Sequence, residues 1–160
     1  MHNKINIYTD GSALGNPGPG GYGIILSWEG KAYTKEISQG YRYTTNNRME
    51  LLAVIVALEL LKIAPCVVTV YTDSRYVADA VSKKWVFSWE KKNFKDKKNA
   101  DLWRRFLKIF PKHQVQFQWI KGHNNHPQNE RCDTLAVAAA KQQNLLTDTN
   151  YELENPLPNP

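Results

Sequence analysis

Two short β-rich segments, far apart in the chain, end on the same three residues. Ile5-Asn-Ile7 runs into Tyr8-Thr-Asp10, and Val67-Val-Thr-Val70 runs into Tyr71-Thr-Asp73. Their length and β-branched content read as strands, the second of the apolar kind found inside a parallel sheet. If the two strands are neighbours, Asp10 and Asp73 emerge side by side. Carboxylates held that close repel and raise each other's pKa, and a cation relieves the repulsion. The shared ending therefore constrains both the fold and the chemistry.

The surrounding segments supply the rest of a layered fold. Lys4 to Thr9 is the first strand, with Asp10-Gly11 read as a turn signal. Gly15 to Gly21 is dense in Gly and Pro and reads as a loop. Tyr22 to Trp28 and Ala32 to Gly40 form a hairpin around Glu29-Gly30, so the first three strands make an antiparallel meander. Thr45 to Lys62 is helical, with Leu51, Leu52, Val54, Ile55, Leu58 and Leu61 at helical spacing and Pro65 as its stop. Helices over Ser74 to Val81 and Asp101 to Phe110 precede a strand from Val115 to Ile120. After a loop rich in His and Asn, Pro127 opens a last helix reaching about Gln143. The order predicts a mixed α/β fold, a sheet with helices on its faces, whose site gathers where neighbouring strands diverge. The 160 residues divide into one domain, residues 1–146, and an acidic, Pro-rich tail, residues 147–160, expected to be loosely held.

Charge narrows the partners. Lys and Arg number 21 against 15 Asp and Glu, a net charge of +6, which favours polyanions. Lys83 to Lys98 interleaves seven lysines with Trp85, Phe87, Trp89 and Phe94. Lysines such as Lys83, Lys84, Lys91 and Lys92 can follow phosphates while Trp85 and Trp89 stack on bases or sugars. The plainer alternative is a solvated helix face whose aromatics, Trp89 above all, belong to the core. Cys66 and Cys132 have no metal-site spacing and read as small buried hydrophobes. The N-terminal residues lead directly into a strand without a signal segment, and no apolar run reaches the ~18 residues of a membrane span. A reducing cytoplasm and no membrane contact are expected.

Two more carboxylates join the pair. Glu50, in Thr45-Asn-Asn-Arg-Met-Glu50, has capping-box spacing from Asn47, yet on the first turn of a buried helix it needs a charged partner or a metal. Asp133 lies on a stripe with Ala136, Val137 and Ala140, small residues that imply a tightly packed helix with its Asp at the edge. Asp10 taken alone is ordinary turn chemistry, and Asp73-Ser74 taken alone is an ordinary helix cap. Together the four suggest an oxygen-lined site for hard divalent cations. In the loop Lys121-Gly-His-Asn-Asn-His126, His123 suits proton transfer, zinc ligation with His126 is the weaker alternative, and His126 suits a structural hydrogen bond.

These motifs together resemble ribonuclease H of the bacterial type I form, along nearly the whole chain. They are Tyr-Thr-Asp-Gly-Ser followed by Gly-Asn-Pro-Gly-Pro-Gly-Gly, then Thr-Asn-Asn-Arg-Met-Glu, Tyr-Thr-Asp-Ser, Lys-Gly-His and Asn-Glu-Arg-Cys-Asp. The resemblance implies a five-stranded mixed sheet in the order 3-2-1-4-5, and a monomer that cuts the RNA strand of RNA–DNA hybrids with Mg²⁺ or Mn²⁺. It implies that Asp10, Glu50, Asp73 and Asp133 ligate metal and that His123 assists proton transfer or product release. It places Asn16, Asn46 and Asn47 on the minor groove or RNA sugars, Thr45 in a pocket for a DNA-strand phosphate, and Trp85 against a deoxyribose. The segment from Lys83 to Lys98 matches the family's basic protrusion, here shorter than in some members. Arg75 stands where a Gln is common, as a further groove or phosphate contact, and Asn124-Asn125 replaces a smaller pair. Two-metal hydrolysis leaving 5′-phosphate and 3′-hydroxyl ends is the expected mechanism. A related nuclease that cuts DNA, a non-catalytic binding module and a small-molecule phosphatase are the competing readings. Assays on hybrid, duplex DNA and single strands, with and without metal, separate them.

Overall fold

The computed structural model describes residues 3–122 and 124–159. Its strands are β1 (Asn3–Ala13), β2 (Gly18–Trp28), β3 (Thr34–Thr44), β4 (Cys66–Thr72) and β5 (Gln114–Trp119). The helices are α1 (Asn46–Glu59), α2 (Arg75–Ser82), α3 (Trp85–Lys91), α4 (Ala100–Ile109), α5 (Pro127–Ala140) and α6 (Thr149–Glu154). The strands form one sheet in the order β3-β2-β1-β4-β5. The pairs β1/β2 and β2/β3 are antiparallel, whereas β1/β4 and β4/β5 are parallel. The expected mixed α/β sheet and its order are therefore present.

One face of the sheet carries α1, whose Leu51, Val54, Ile55 and Leu58 are fully buried against a core that includes Ile7, Val68 and Val70. The other face carries α5, seated on glycines. A Cβ at Gly21 would lie 2.5 Å from the Ala136 carbonyl oxygen, and one at Gly23 or Gly40 would run into the carbonyls of Cys132 or Ala139. The helix backbone lies directly on β2 and β3 because no side chain intervenes. Its tight face is Cys132, Ala136, Ala139 and Ala140, with Asp133 and Val137 half-buried beside it.

This packing corrects two expectations. Residues 18–21 belong to β2, not to a loop; Gly21 makes room for α5, Gly20 for the neighbouring strand residues Ser12 and Thr44, and Gly18 for the carbonyls of Leu14 and Gly15. Asp10-Gly11 is no turn, since β1 continues through both to Ala13. Gly11 is instead where α1 meets the sheet, because a Cβ there would fall 2.5 Å from the Met49 carbonyl carbon and into the Glu50 amide nitrogen. The aromatic segment after α2 is also partly core: Phe94 is buried, and Trp89 meets Trp103 edge-on at 5.9 Å.

The segment after Leu146 was expected to be loosely held, but it docks. Leu146 exchanges backbone hydrogen bonds with β3, its amide reaching Gly40 O at 3.0 Å and its carbonyl accepting from Arg42 N at 2.8 Å. Asp148 is buried and takes two hydrogen bonds from Arg48, at 2.7 and 2.9 Å, and one from Thr44 Oγ1 at 2.7 Å. Arg48 also makes a bidentate pair with Asp101 at 2.7 and 2.9 Å. One desolvated guanidinium thus ties α1 to α4 and to the tail. Removing one partner of such a buried pair costs about 3–5 kcal/mol, because the other is left uncompensated. Among the described residues no helix is long and apolar enough to cross a membrane.

The glycine seat gives a measurable contrast. Gly23→Ala should lower the free energy of unfolding in urea by about 3 kcal/mol through overpacking. Gly30→Ala, at φ +82° with no atom within 4 Å of the added carbon, should cost about 1 kcal/mol of backbone strain. The reverse order would show that helix approach is not what requires glycine in β2.

Candidate active site

Strand pairing places the first two carboxylates. Tyr8 on β1 is in register with Tyr71 on β4, their rings stacked 4.9 Å apart. Two residues further on come Asp10, still within β1, and Asp73, just past the end of β4. The bend at Asp73 is held locally. Ser74 N donates to Thr72 Oγ1 at 3.0 Å, Ser74 Oγ caps α2 by accepting from Val77 N at 3.2 Å, and Trp119 Nε1 donates to the Asp73 carbonyl at 3.1 Å.

The third comes from α1. Thr45 is its N-cap, accepting from Arg48 N at 3.2 Å, so Glu50 is not needed as a capping partner. The close approach at Gly11 carries Glu50 to Asp10, and one oxygen from each of Asp10, Glu50 and Asp73 lies within 4.8 Å of the others. Asp10 and Glu50 are buried and Asp73 is half-buried. Asp133, half-buried on α5, is not one of the three convergent carboxylates, although it is near enough to help raise the Asp10 pKa.

Burial makes the cluster resist ionisation. It pushes the Asp10 carboxyl from 3.8 to about 8, helped by the neighbouring charge of Asp73. Glu50 is raised well above its usual value by burial first and then by Asp10 and Asp73. Among the described residues, Glu50 Oε1 is buried and finds no hydrogen-bond partner. A buried acceptor without a donor is costly unless a cation or proton meets it. Among the described residues the cluster offers carboxylate oxygens, a donor set that suits hard divalent ions such as Mg²⁺ or Mn²⁺.

The expected substrate contacts divide into three groups. Asn16, Thr45 and Asn47 line a groove of ≈ 450 Å³ together with Lys98, Asn99 and Tyr151. It opens at the N-terminus of α1, about one turn before Glu50. Asn16 Oδ1 accepts from Asn46 N at 3.1 Å and Asn46 Oδ1 from Ala13 N at 3.0 Å, so both amides spend their oxygens on the fold and keep NH₂ groups to offer. A second group is the basic surface of Lys83, Lys84, Lys91 and Lys92, all exposed, with Trp85 45% exposed beneath Lys83 Nζ at 5.1 Å. Trp89 follows its alternative and packs against the core. Arg75 is exposed, its guanidinium 3.9 Å above the Trp119 ring, where it is held while still able to meet an anion.

Asn99 was missed, as were the tail residues of the groove, and Lys98 was read only as the last lysine of the basic segment. Asn99 has φ +66° just before α4, a conformation Asn tolerates. Its place opposite Thr45 is a tertiary fact with no local signal. His126 takes the structural role expected of it: Nδ1 accepts from Asn129 N at 3.2 Å and caps α5. His123 lies outside the described residues. The adjacent Gly122 approaches the cluster, since a Cβ on it would sit 2.8 Å from Asp73 Oδ2.

Comparison with known proteins agrees with this fold. The family model "RNase H" matches residues 2–141. A ribonuclease H of Desulforamulus reducens is 55% identical over 150 residues, 91% of this chain and 92% of that protein. One from Trichodesmium erythraeum is 53% identical over 154 residues, 93% of this chain and 96% of that protein. Among solved structures, LC9-RNase H1, a type 1 RNase H with the type 2 active-site motif, superposes with a TM-score of 0.80 at 32% identity, covering 98% of this chain and 82% of that one. LC11-RNase H1 in complex with an RNA/DNA hybrid gives a TM-score of 0.61 at 29% identity, covering 85% of this chain and 96% of that one. The chain belongs to the RNase H family. Its enzyme class is endoribonuclease.

Two outcomes follow from the site's geometry. The folded state favours a protonated Asp10, so this contribution to metal-free stability is complete below 3.8 and is lost as pH rises through about 8. In the metal-free protein, Asp10→Asn should raise Tm at pH 8, with the gain shrinking toward pH 5. Buried His113, whose pKa is lowered, acts in the opposite sense but cancels in the comparison. Equal Tm values for the two proteins at pH 8 would contradict a penalty for burying the ionised Asp10 beside Asp73. Gly122→Ala should reduce ribonuclease activity at least ~10-fold by displacing Asp73, while unfolding free energy changes by less than about 0.5 kcal/mol.

Proposed function

We propose that the chain is an endonuclease that hydrolyses the RNA strand of an RNA–DNA hybrid. The observation that carries this reading is the convergence of Asp10, Glu50 and Asp73, with an unpartnered buried Glu50 oxygen, close to a groove built from Asn16, Thr45 and Asn47. Those three carboxylates, with Asp133 beside Asp10, would hold two divalent ions, Mg²⁺ or Mn²⁺. Ions bound there supply a polarised water and neutralise the charge that crowds on phosphorus. The products would carry 5′-phosphate and 3′-hydroxyl ends.

The protein's own groups account for substrate choice. Asp10, on the central strand of a rigid sheet, fixes the reference point for the scissile phosphate. The free NH₂ groups of Asn16 and Asn46 donate toward a ribose 2′-oxygen or the acceptors of a minor groove, neither of which depends on base identity. Thr45 and the groove around it receive a phosphate of the DNA strand. Trp85 lies against a deoxyribose, where no 2′-hydroxyl intrudes, and Lys83, Lys84, Lys91, Lys92 and Arg75 neutralise the backbone. His123, the residue after Gly122 in the sequence, moves a proton at the leaving or attacking oxygen. The protein acts as a monomer in the cytoplasm. Its two cysteines, both free and buried, suit that reducing compartment.

The test is digestion of a hybrid labelled separately on each strand, in Mg²⁺ and in chelator. The RNA strand alone should be cut, with little sequence preference, only with metal, and without cutting duplex DNA. Asp10→Asn should fall to background cleavage while still binding the hybrid. Cleavage of the DNA strand, or near-normal cleavage by this variant, would reject the proposal.

A further inference from the structure

We infer that the docked tail is a working part of the substrate groove and that Asp148 is the residue that positions it. This rests on the reading that the groove near Thr45 takes a phosphate of the hybrid. Tyr151, Glu154 and Asn155, all from the tail, form one wall of that groove. They are held there by the carboxylate of Asp148, 8% exposed, through its hydrogen bonds from Arg48 and Thr44. Arg48 reaches another part of the groove as well: its Nη1 donates to Asn99 Oδ1 at 3.3 Å, and its Cζ lies 5.6 Å from the Tyr151 ring centroid. Asn99 is oriented from behind, its Nδ2 donating to Tyr76 Oη at 3.0 Å. Two parts of one groove, Asn99 at the N-cap of α4 and Tyr151 in the tail, are therefore set by a single buried guanidinium, and Asp148 fixes where that guanidinium sits. The exposed pair Arg42–Glu152, at 2.7 Å, is a second and weaker fastening.

Charge and position predict opposite outcomes. Arg48 faces two carboxylates, so the cluster is net negative next to a groove meant for an anion. If Asp148 acted only through charge, neutralising it would tighten substrate binding. If it acts by position, neutralising it frees Arg48 and the wall, and binding weakens although the local charge has become more favourable.

The experiment measures kcat and KM for wild type, Asp148→Asn and Tyr151→Ala on an ordinary hybrid. It repeats them on hybrids in which one DNA-strand linkage at a time is an uncharged methylphosphonate. Asp148→Asn should raise KM about 10-fold, the equivalent of one lost hydrogen bond to a charged group, with kcat near wild type. In wild type, one linkage should raise KM when neutralised, and both variants should lose that sensitivity. Asp148→Glu should restore part of it. Tyr151→Ala leaves the buried ion pairs in place and keeps the test valid if Asp148→Asn fails to fold, which thermal melts will reveal. A KM that falls or stays constant in Asp148→Asn, an equal loss in kcat, or undiminished linkage sensitivity in both variants would overturn the positioning role. A wild type indifferent to every neutral linkage would overturn the phosphate reading of the groove itself, and with it this inference.

Discussion

The site depends on one close approach, that of the α1 backbone to β1 at Gly11. A Cβ there would collide with the backbone of Met49 and Glu50, so the helix can lie on the strand only because the side chain is absent. The approach brings a helix carboxylate to a strand carboxylate without help from flexible side chains. Parallel pairing of β1 with β4 then adds Asp73 from the adjacent strand end. The acidic cluster is therefore fixed by backbone contacts, the stiffest kind a small domain has, and its mutual repulsion cannot be relieved by local relaxation.

Helix α1 also shows how differently one element treats two buried charges. Arg48 and Glu50 are two residues apart and both almost wholly buried. Arg48 is surrounded by carboxylates and makes hydrogen bonds to Asp101, Asp148 and Asn99. Glu50 faces other acids, and one of its oxygens has no donor. Burial is tolerable for the first because its charge is met within the protein. For the second it becomes tolerable only by taking up a proton or a cation. The first arrangement holds the fold together; the second is chemistry held in readiness.

Much of this was legible in the residues. The repeated Tyr-Thr-Asp ending located Asp10 and Asp73, because strand period and apolar content are local signals and side-by-side placement follows from parallel pairing. Glu50 stood out because its neighbours in Leu51 to Leu58 are apolar. The glycines were misread for a physical reason: Gly20 and Gly21 look like breakers in a linear reading, whereas in the sheet Gly21 makes room for α5 and Gly20 for close-packed neighbours on the adjoining strands. The tail was misread because an acidic segment with few apolar residues shows no periodicity, and what holds it is an ion pair. Asn99 gave no signal, and Lys98 only that of its basic segment, since a groove wall is defined only when the residues before α4, the start of α1 and the tail come together.

The position of Asp148 also governs the order in which the molecule is completed. A ribosome makes Arg48 100 residues before its tail partner, and Asp101 falls 53 residues after Arg48. At ordinary elongation rates Asp148 follows Arg48 by roughly 5–20 s. All the sheet strands and every cluster carboxylate have been synthesised by then, while the guanidinium has met only one of its two acids. Translation itself therefore sets the order in which Arg48 meets its two acids, Asp101 before Asp148.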